Sequence, residues 1–211
     1  MSFIVTNSKK QASYRYMNHQ SDQYYINKIL AGDINAFSTL VERYQSLVYT
    51  IAYRITKNKE EAEEIAQDTF VKAYTSLPNY RGEAKFSTWL YTIVYRRSLD
   101  IVKSKKRSIT SEQVEEISEE HIEIVHDALS YLQEKERKEI IGNCILKLAE
   151  DEATIITLYY FEEKNIKEIK EIIGLTEDNI KIKLFRSRKK LYSILKYYVL
   201  PEINSTNGRA I

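Results

Sequence analysis

Residues 165–191 read NIKEIKEIIGLTEDNIKIKLFRSRKKL, two short amphipathic stretches separated by a glycine. The apolar spacing predicts a short helix ending near Ile173, a turn at Gly174, which can take a positive φ, an N-cap at Thr176 and then a second helix. That order is a helix-turn-helix. On the second helix Ile180, Leu184, Ser187 and Leu191 fall in a narrow arc and face the core, while Asp178, Lys181, Ile182, Phe185, Arg186 and Lys189 point away. A basic, partly apolar outer face suits a major-groove reader, with Arg or Lys for guanine edges and phosphates and Ile or Phe for thymine methyls. The plainer alternatives are a solvated basic helix, or a dimer face built on Ile182 and Phe185. Lys170 stands where such motifs usually place a small residue between the crossing helices.

Working outward, Leu129–Leu148 reads as a helix through Leu132, Ile140, Ile141, Cys144, Ile145 and Leu148, and a further helix carries Ile155, Ile156, Leu158, Tyr159 and Phe161. Upstream, Ser108–Ser130 holds seven acidic residues and no Lys or Arg. Scattered apolar residues among dense like charge disfavour a packed core, so this stretch reads as a flexible linker or a marginal helix. It is flanked by basic blocks. Arg96–Arg107 has six basic residues against Asp100, and Gly174–Lys196 has seven against Glu177 and Asp178. The 211 residues contain only five Gly and two Pro, and 43% are hydrophobic, which favours an all-α chain. The expected organisation is two small helical domains, 21–107 and 129–200, joined by a flexible acidic linker at 108–128. A polar N-terminal segment, 1–20, and a tail, 201–211, are expected to be poorly ordered.

In the first half, Tyr24–Ala31 forms one helix. A second starts with Asp33 as N-cap and buries Phe37, Leu40, Val41, Tyr44, Val48, Ile51, Ala52 and Ile55. A third, capped by Asn58, turns Ala62, Ile65, Ala66, Thr69, Phe70 and Ala73 inward. Its outer face is Glu60, Glu61, Glu64, Gln67 and Asp68, which is either a solvated face or a surface for a basic partner. After an irregular loop comes KFSTWLYTIVYRR, residues 85–97, with Ser87 or Thr88 expected to cap a fourth helix. Leu90, Ile93, Val94 and Ile101 should meet the core; Trp89, Thr92, Arg96 and Lys103 form another face, and Tyr91, Tyr95 and Val102 a third that can pack on another helix. Rings beside guanidinium groups suit a single nucleic-acid strand, although a Trp at a helix start is also an ordinary structural feature.

Little in the sequence points to catalysis or metal. The single Cys144 allows no intramolecular disulfide and no Cys cluster. His19, His121 and His126 lie in segments expected to be flexible, and there is no Gly-rich phosphate loop or nucleophile motif, so no cofactor is expected. No apolar run is long enough to span a membrane, and the first residues lack the order of a signal peptide, so a cytoplasmic protein without membrane insertion is expected.

Four segments together resemble the extracytoplasmic-function (ECF) sigma factors of bacterial RNA polymerase: GDINAFSTLVERYQSLVYTIAYRIT, EEAEEIAQDTFVKAY, YRGEAKFSTWLYTIVYRRSLD and NIKIKLFRSRKKL. The resemblance covers about Ile26–Lys106 and Leu129–Leu195. It implies a region two that binds core polymerase and the minus-ten promoter element, and a region four that reads the minus-thirty-five element. It places Glu64, Gln67 and Asp68 at the contact with core RNA polymerase. It places Asn79, Tyr80, Arg81 and Lys85 in the loop that selects an unpaired minus-ten base, Phe86, Thr88 and Trp89 at the corner holding an extruded base, and Arg96 and Arg97 near the strand backbone. For the minus-thirty-five element it implies Lys181, Ile182, Phe185, Arg186 and Lys189. The implied partners are core RNA polymerase, promoter DNA, both duplex and single-stranded, and an anti-sigma factor. The chain departs from the family at LAEDE, residues 148–152, which lacks the usual Pro, and at Lys170 and Ile182. A free-standing helix-turn-helix regulator is the competing reading. Such a regulator needs neither the acidic face at Glu64, Gln67 and Asp68 nor a base-capturing corner.

Overall fold

The computed structural model describes residues 21–105 and 133–199, and every regular element among them is helical. The acidic connector and both terminal segments named above lie outside the described residues. The first half begins with α1 (Asp22–Leu30), capped by Ser21, whose Oγ accepts from the Tyr24 N–H at 3.3 Å. Asp22 then fastens α1 to the long α2 (Ala36–Thr56), accepting from Tyr44 Oη at 2.6 Å and pairing with Arg43. The expected cap at Asp33 is corrected: α2 starts at Ala36, and the chain enters it through a turn in which Gly32 has φ 101° and the Asp33 carbonyl, not its side chain, accepts the Ala36 N–H. Leu40, Tyr44, Val48, Ile51, Ala52 and Ile55 form the buried stripe read from the spacing.

Lys57, at φ 56°, turns the chain into α3 (Lys59–Ser76), where Asn58 Oδ1 accepts the Glu61 N–H at 2.9 Å as an N-cap should. A 3₁₀ turn at Leu77–Asn79 and an irregular loop lead to α4 (Phe86–Lys105). This helix begins at Phe86, so Ser87 and Thr88 lie within its first turn and neither is its cap, contrary to expectation. Leu90 and Val94 reach the core, and Ile93 and Ile101 are half-buried at its edge.

The second half consists of α5 (Glu134–Ile145), α6 (Glu150–Ile156), α7 (Ile166–Ile173) and α8 (Glu177–Val199). A wider π turn at Thr157–Phe161 continues α6 and corrects the expected pattern there, because one extra residue in the turn shifts the register. Tyr160 is therefore buried and Tyr159 exposed. The helix-turn-helix has the expected form. Asn165 and Glu168 cap α7 reciprocally at 3.0 Å, Gly174 closes it at φ 80°, and Thr176 Oγ1 accepts the Asn179 N–H at 3.3 Å. Lys170 does not separate the crossing helices. It lies outside, 3.7 Å from Glu177, while Ile169 and Ile172 are buried. The two halves also pack against each other, α6 on α2 and α7 on α4.

Candidate polymerase and nucleic-acid interfaces

Glu64 and Gln67 are exposed on α3, one turn apart, with the exposed Val71 next along the same side. Asp68 is half-exposed and accepts two hydrogen bonds from Arg97 of α4, from Nη2 at 2.8 Å and Nε at 3.3 Å. Residues assigned by resemblance to two different partners, polymerase and DNA strand, are thus joined across the α3–α4 seam.

At the start of α4 three rings form a knot. Tyr80 and Trp89 have centroids 5.2 Å apart, Phe86 and Trp89 5.6 Å, and Tyr80 and Phe86 5.9 Å. Tyr44 backs Phe86 from the core at 5.7 Å. Phe86 is only 2% exposed and Thr88 1%, whereas Trp89 is half-exposed. The Thr88 hydroxyl is buried with no hydrogen-bond partner among the described residues. The loop before the knot turns at Gly82, φ 74°, and the Tyr80 hydroxyl donates to the Ala84 carbonyl at 2.5 Å, pinning the loop to its own end. Burial and the nearby Asp22 charge raise the Tyr80 phenol, so it stays protonated as that donor. Asn79, Arg81 and Lys85 are exposed, and Arg96 and Arg97 project from α4 two turns further on.

On α8 the outer face is open: Lys181, Ile182, Phe185 and Arg186 are exposed and Lys189 is half-buried. The Lys189 ammonium lies over the Phe185 ring, 5.0 Å from its centroid, and Lys181 pairs with Asp178 at 3.1 Å. Ile180, Leu184, Ser187 and Leu191 are buried beneath, so the division of this helix into two faces is as the sequence indicated.

One cluster was not found from the sequence. Arg54, at the end of α2, donates to Thr157 Oγ1 in the π turn, and its guanidinium lies over the Phe161 ring at 5.1 Å. Desolvation presses the group down to about 10, with the Glu162 charge opposing, and it stays cationic at neutral pH. Lys57 Nζ donates to the Leu148 carbonyl at 3.2 Å. Lys164 Nζ donates to Ser87 Oγ at 2.9 Å and lies over the Tyr91 ring at 5.5 Å; the Tyr91 hydroxyl reaches Glu162 at 3.5 Å. Lys85 pairs with Glu168 at 2.8 Å. The sequence signal was the third face of α4: Tyr91 and Tyr95 were free to pack on another helix, and that packing is supplied by the second half of the chain. Among the described residues no group of His, Cys, Asp or Glu is arranged to hold a metal, and no helix is long and apolar enough to cross a membrane.

Known proteins share this arrangement. Residues 40–108 match the Sigma-70 region 2 family and 138–191 match Sigma-70, region 4. The ECF RNA polymerase sigma factor SigW of Bacillus subtilis is 31% identical over 81% of this chain and 95% of its own length. SigM of the same organism is 30% identical over 74% of this chain and 92% of its own. The RNA polymerase sigma-H factor of Pseudomonas aeruginosa is 26% identical over 85% and 96%. Among solved structures, CnrH in complex with the cytosolic domain of CnrY superposes with TM-score 0.55 at 19% identity, covering 84% of this chain and 99% of that one. A sigma factor RpoE bound to the anti-sigma factor NepR, from Bartonella quintana, gives 0.58 at 18%, covering 76% and 96%.

Proposed function

The chain belongs to the ECF sigma factors of bacterial RNA polymerase, and from that premise we propose how its surfaces divide the work of promoter-specific initiation. Glu64 and Gln67, with Asp68 beside them, contact core polymerase through α3. The Asn79–Lys85 loop and the Tyr80–Phe86–Trp89 knot take up a base extruded from the minus-ten strand, and Arg96 and Arg97 lie along its phosphates. Thr88, buried in the first turn of α4, belongs to the same corner. Lys181, Ile182, Phe185 and Arg186 enter the major groove of the minus-thirty-five element, and Lys189 supports Phe185. The chain acts by binding and carries out no reaction of its own. It works in the cytoplasm, where polymerase is, without membrane insertion, and it binds an anti-sigma factor, a reading supported by its structural similarity to RpoE in complex with the anti-sigma factor NepR.

The observation that carries this reading is the pairing, on one chain, of an exposed acidic helix face with a ring-lined corner and a separate exposed helix-turn-helix. A regulator acting on duplex DNA alone has use only for the last. Alanine at Glu64, Gln67 and Asp68 together should weaken binding to purified core polymerase at least about tenfold with helicity unchanged by circular dichroism. Unchanged affinity in that titration refutes the assignment.

A further inference from the structure

Two side chains on the outer face of α8 carry no polar atom, yet both stand in solvent. Ile182 and Phe185 are exposed on a helix whose Ile180, Leu184 and Leu191 are buried. Three positions apart on a helix, they are neighbours with about 5–6 Å between Cβ atoms, and they form one apolar strip. Positive charge surrounds it. At 100° per residue Lys181 lies on one side of the strip and Arg186 on the other, both exposed. The Lys189 ammonium and the Arg188 guanidinium lie over the Phe185 ring, 5.0 Å and 6.0 Å from its centroid.

These cations decide what can cover the strip. A second copy of α8, docked face to face across a twofold axis, would bring the same cations together, with Asp178 the one acid on this face and already paired with Lys181. A polyanion is attracted by them instead. What a hydrocarbon side chain can read on a nucleic-acid duplex is narrow. The major-groove edges of guanine, adenine and cytosine present hydrogen-bond donors and acceptors, which Ile and Phe would strip of water without replacing the lost bonds. Thymine alone adds an apolar group there, its C5-methyl. Successive bases are ~3.4 Å apart along the helix axis, so the strip reaches two methyls on adjacent base pairs or with one pair between them.

We propose that Ile182 and Phe185 make this chain a methyl reader: each covers the C5-methyl of one thymine in the minus-thirty-five element, and together they require two thymines within three consecutive base pairs. This rests on the proposed function and deepens it. Lys181 and Arg186 hold phosphates and polar base edges, while the apolar strip sets which element is preferred. Ile182 is a position at which the chain departs from its family, so the requirement belongs to this chain.

The test uses the whole chain bound to core RNA polymerase, which selects duplexes from promoter fragments whose minus-thirty-five stretch is randomised. The selected fragments should carry two thymines within three consecutive base pairs. Each thymine of the tightest fragment is then replaced by deoxyuridine, which keeps the base pair and O4 and lacks only the methyl. At two positions binding should weaken about fourfold, the value of one buried carbon group at ~0.8 kcal/mol, and with both replaced about fifteenfold. Ile182→Ser should abolish the response at one of these positions and Phe185→Ala at the other; both side chains are exposed, so the buried stripe of α8 stays intact. Selected fragments without such thymines, binding indifferent to deoxyuridine, or a response unchanged in both variants overturns the methyl reading while leaving the proposed function standing. Failure to select any fragment overturns the proposed function, and the methyl reading with it.

Discussion

On α8, Ile182 is 49% exposed and Phe185 52%, whereas at the start of α4 Phe86 is 2% exposed and Thr88 1%. The two surfaces proposed to read DNA are prepared differently. A duplex reader meets base edges already displayed in a groove, so its side chains can wait in solvent on a rigid helix whose other face is anchored by Ile180, Leu184 and Leu191. A single-strand reader must offer ring faces that would otherwise associate with one another, and in region two they do: Tyr80, Phe86 and Trp89 pack together with Tyr44 behind. Phe86 is buried, while Tyr80 and Trp89 stay half-exposed. The corner is continuous with the hydrophobic core, and stability and recognition are therefore coupled in region two and separable in region four.

That contrast ranks the effects of mutation. The largest belongs to Phe86→Ala, which removes a buried ring from contact with three others and should cost about 3–5 kcal/mol of folding stability. Region two should melt many degrees earlier in calorimetry, and all its activities should fall together; a Phe86→Ala protein of normal stability would break the coupling. Trp89→Ala, at the edge of the knot, should lose about 1–3 kcal/mol of stacking on single-stranded DNA. The loss should be seen in promoter opening more than in first binding to the duplex, with only a modest change in melting temperature. If it instead melts like Phe86→Ala and shows no selective opening defect, Trp89 is core and not reader.

In region four the same size of effect should leave the fold untouched. Arg186→Ala should cost about 1–3 kcal/mol of binding and relax sequence preference at one position of the minus-thirty-five element, read by competition among single-base variants. A uniform loss across sequences would move Arg186 to the phosphate backbone. The smallest effect sharpens the comparison from the structural side. Asn58→Ala removes the cap of α3 and should cost about 1 kcal/mol of region-two stability, with α8 and its binding unchanged.

Where periodicity and local chemistry determine structure, the sequence was readable. The Gly174 turn, the Thr176 and Asn58 caps and the two faces of α8 follow from residue types within a few positions of each other. Local cues misled where the backbone had a second option. Asp33 resembles a cap, but the Gly32 turn places its carbonyl rather than its side chain at the helix start. Tyr159 fits an α-helical stripe, but the π turn rotates it outward. The Asp68–Arg97 pair spans 29 positions and the Lys85–Glu168 pair 83, and no pattern within one helix encodes either. For the seam between the halves the sequence supplied only an unassigned aromatic face at Tyr91 and Tyr95.

The central claim, that these two unlike surfaces serve one polymerase, is tested most directly by run-off transcription with purified core RNA polymerase on linear promoter fragments. The account predicts discrete transcripts that appear only when this chain is added, and that still depend on Trp89 when the minus-ten region is supplied already melted, because the stacking is on the single strand. No chain-dependent transcript from any fragment, together with binding of the chain to duplex DNA in the absence of polymerase, would contradict it and return the protein to the class of free-standing regulators.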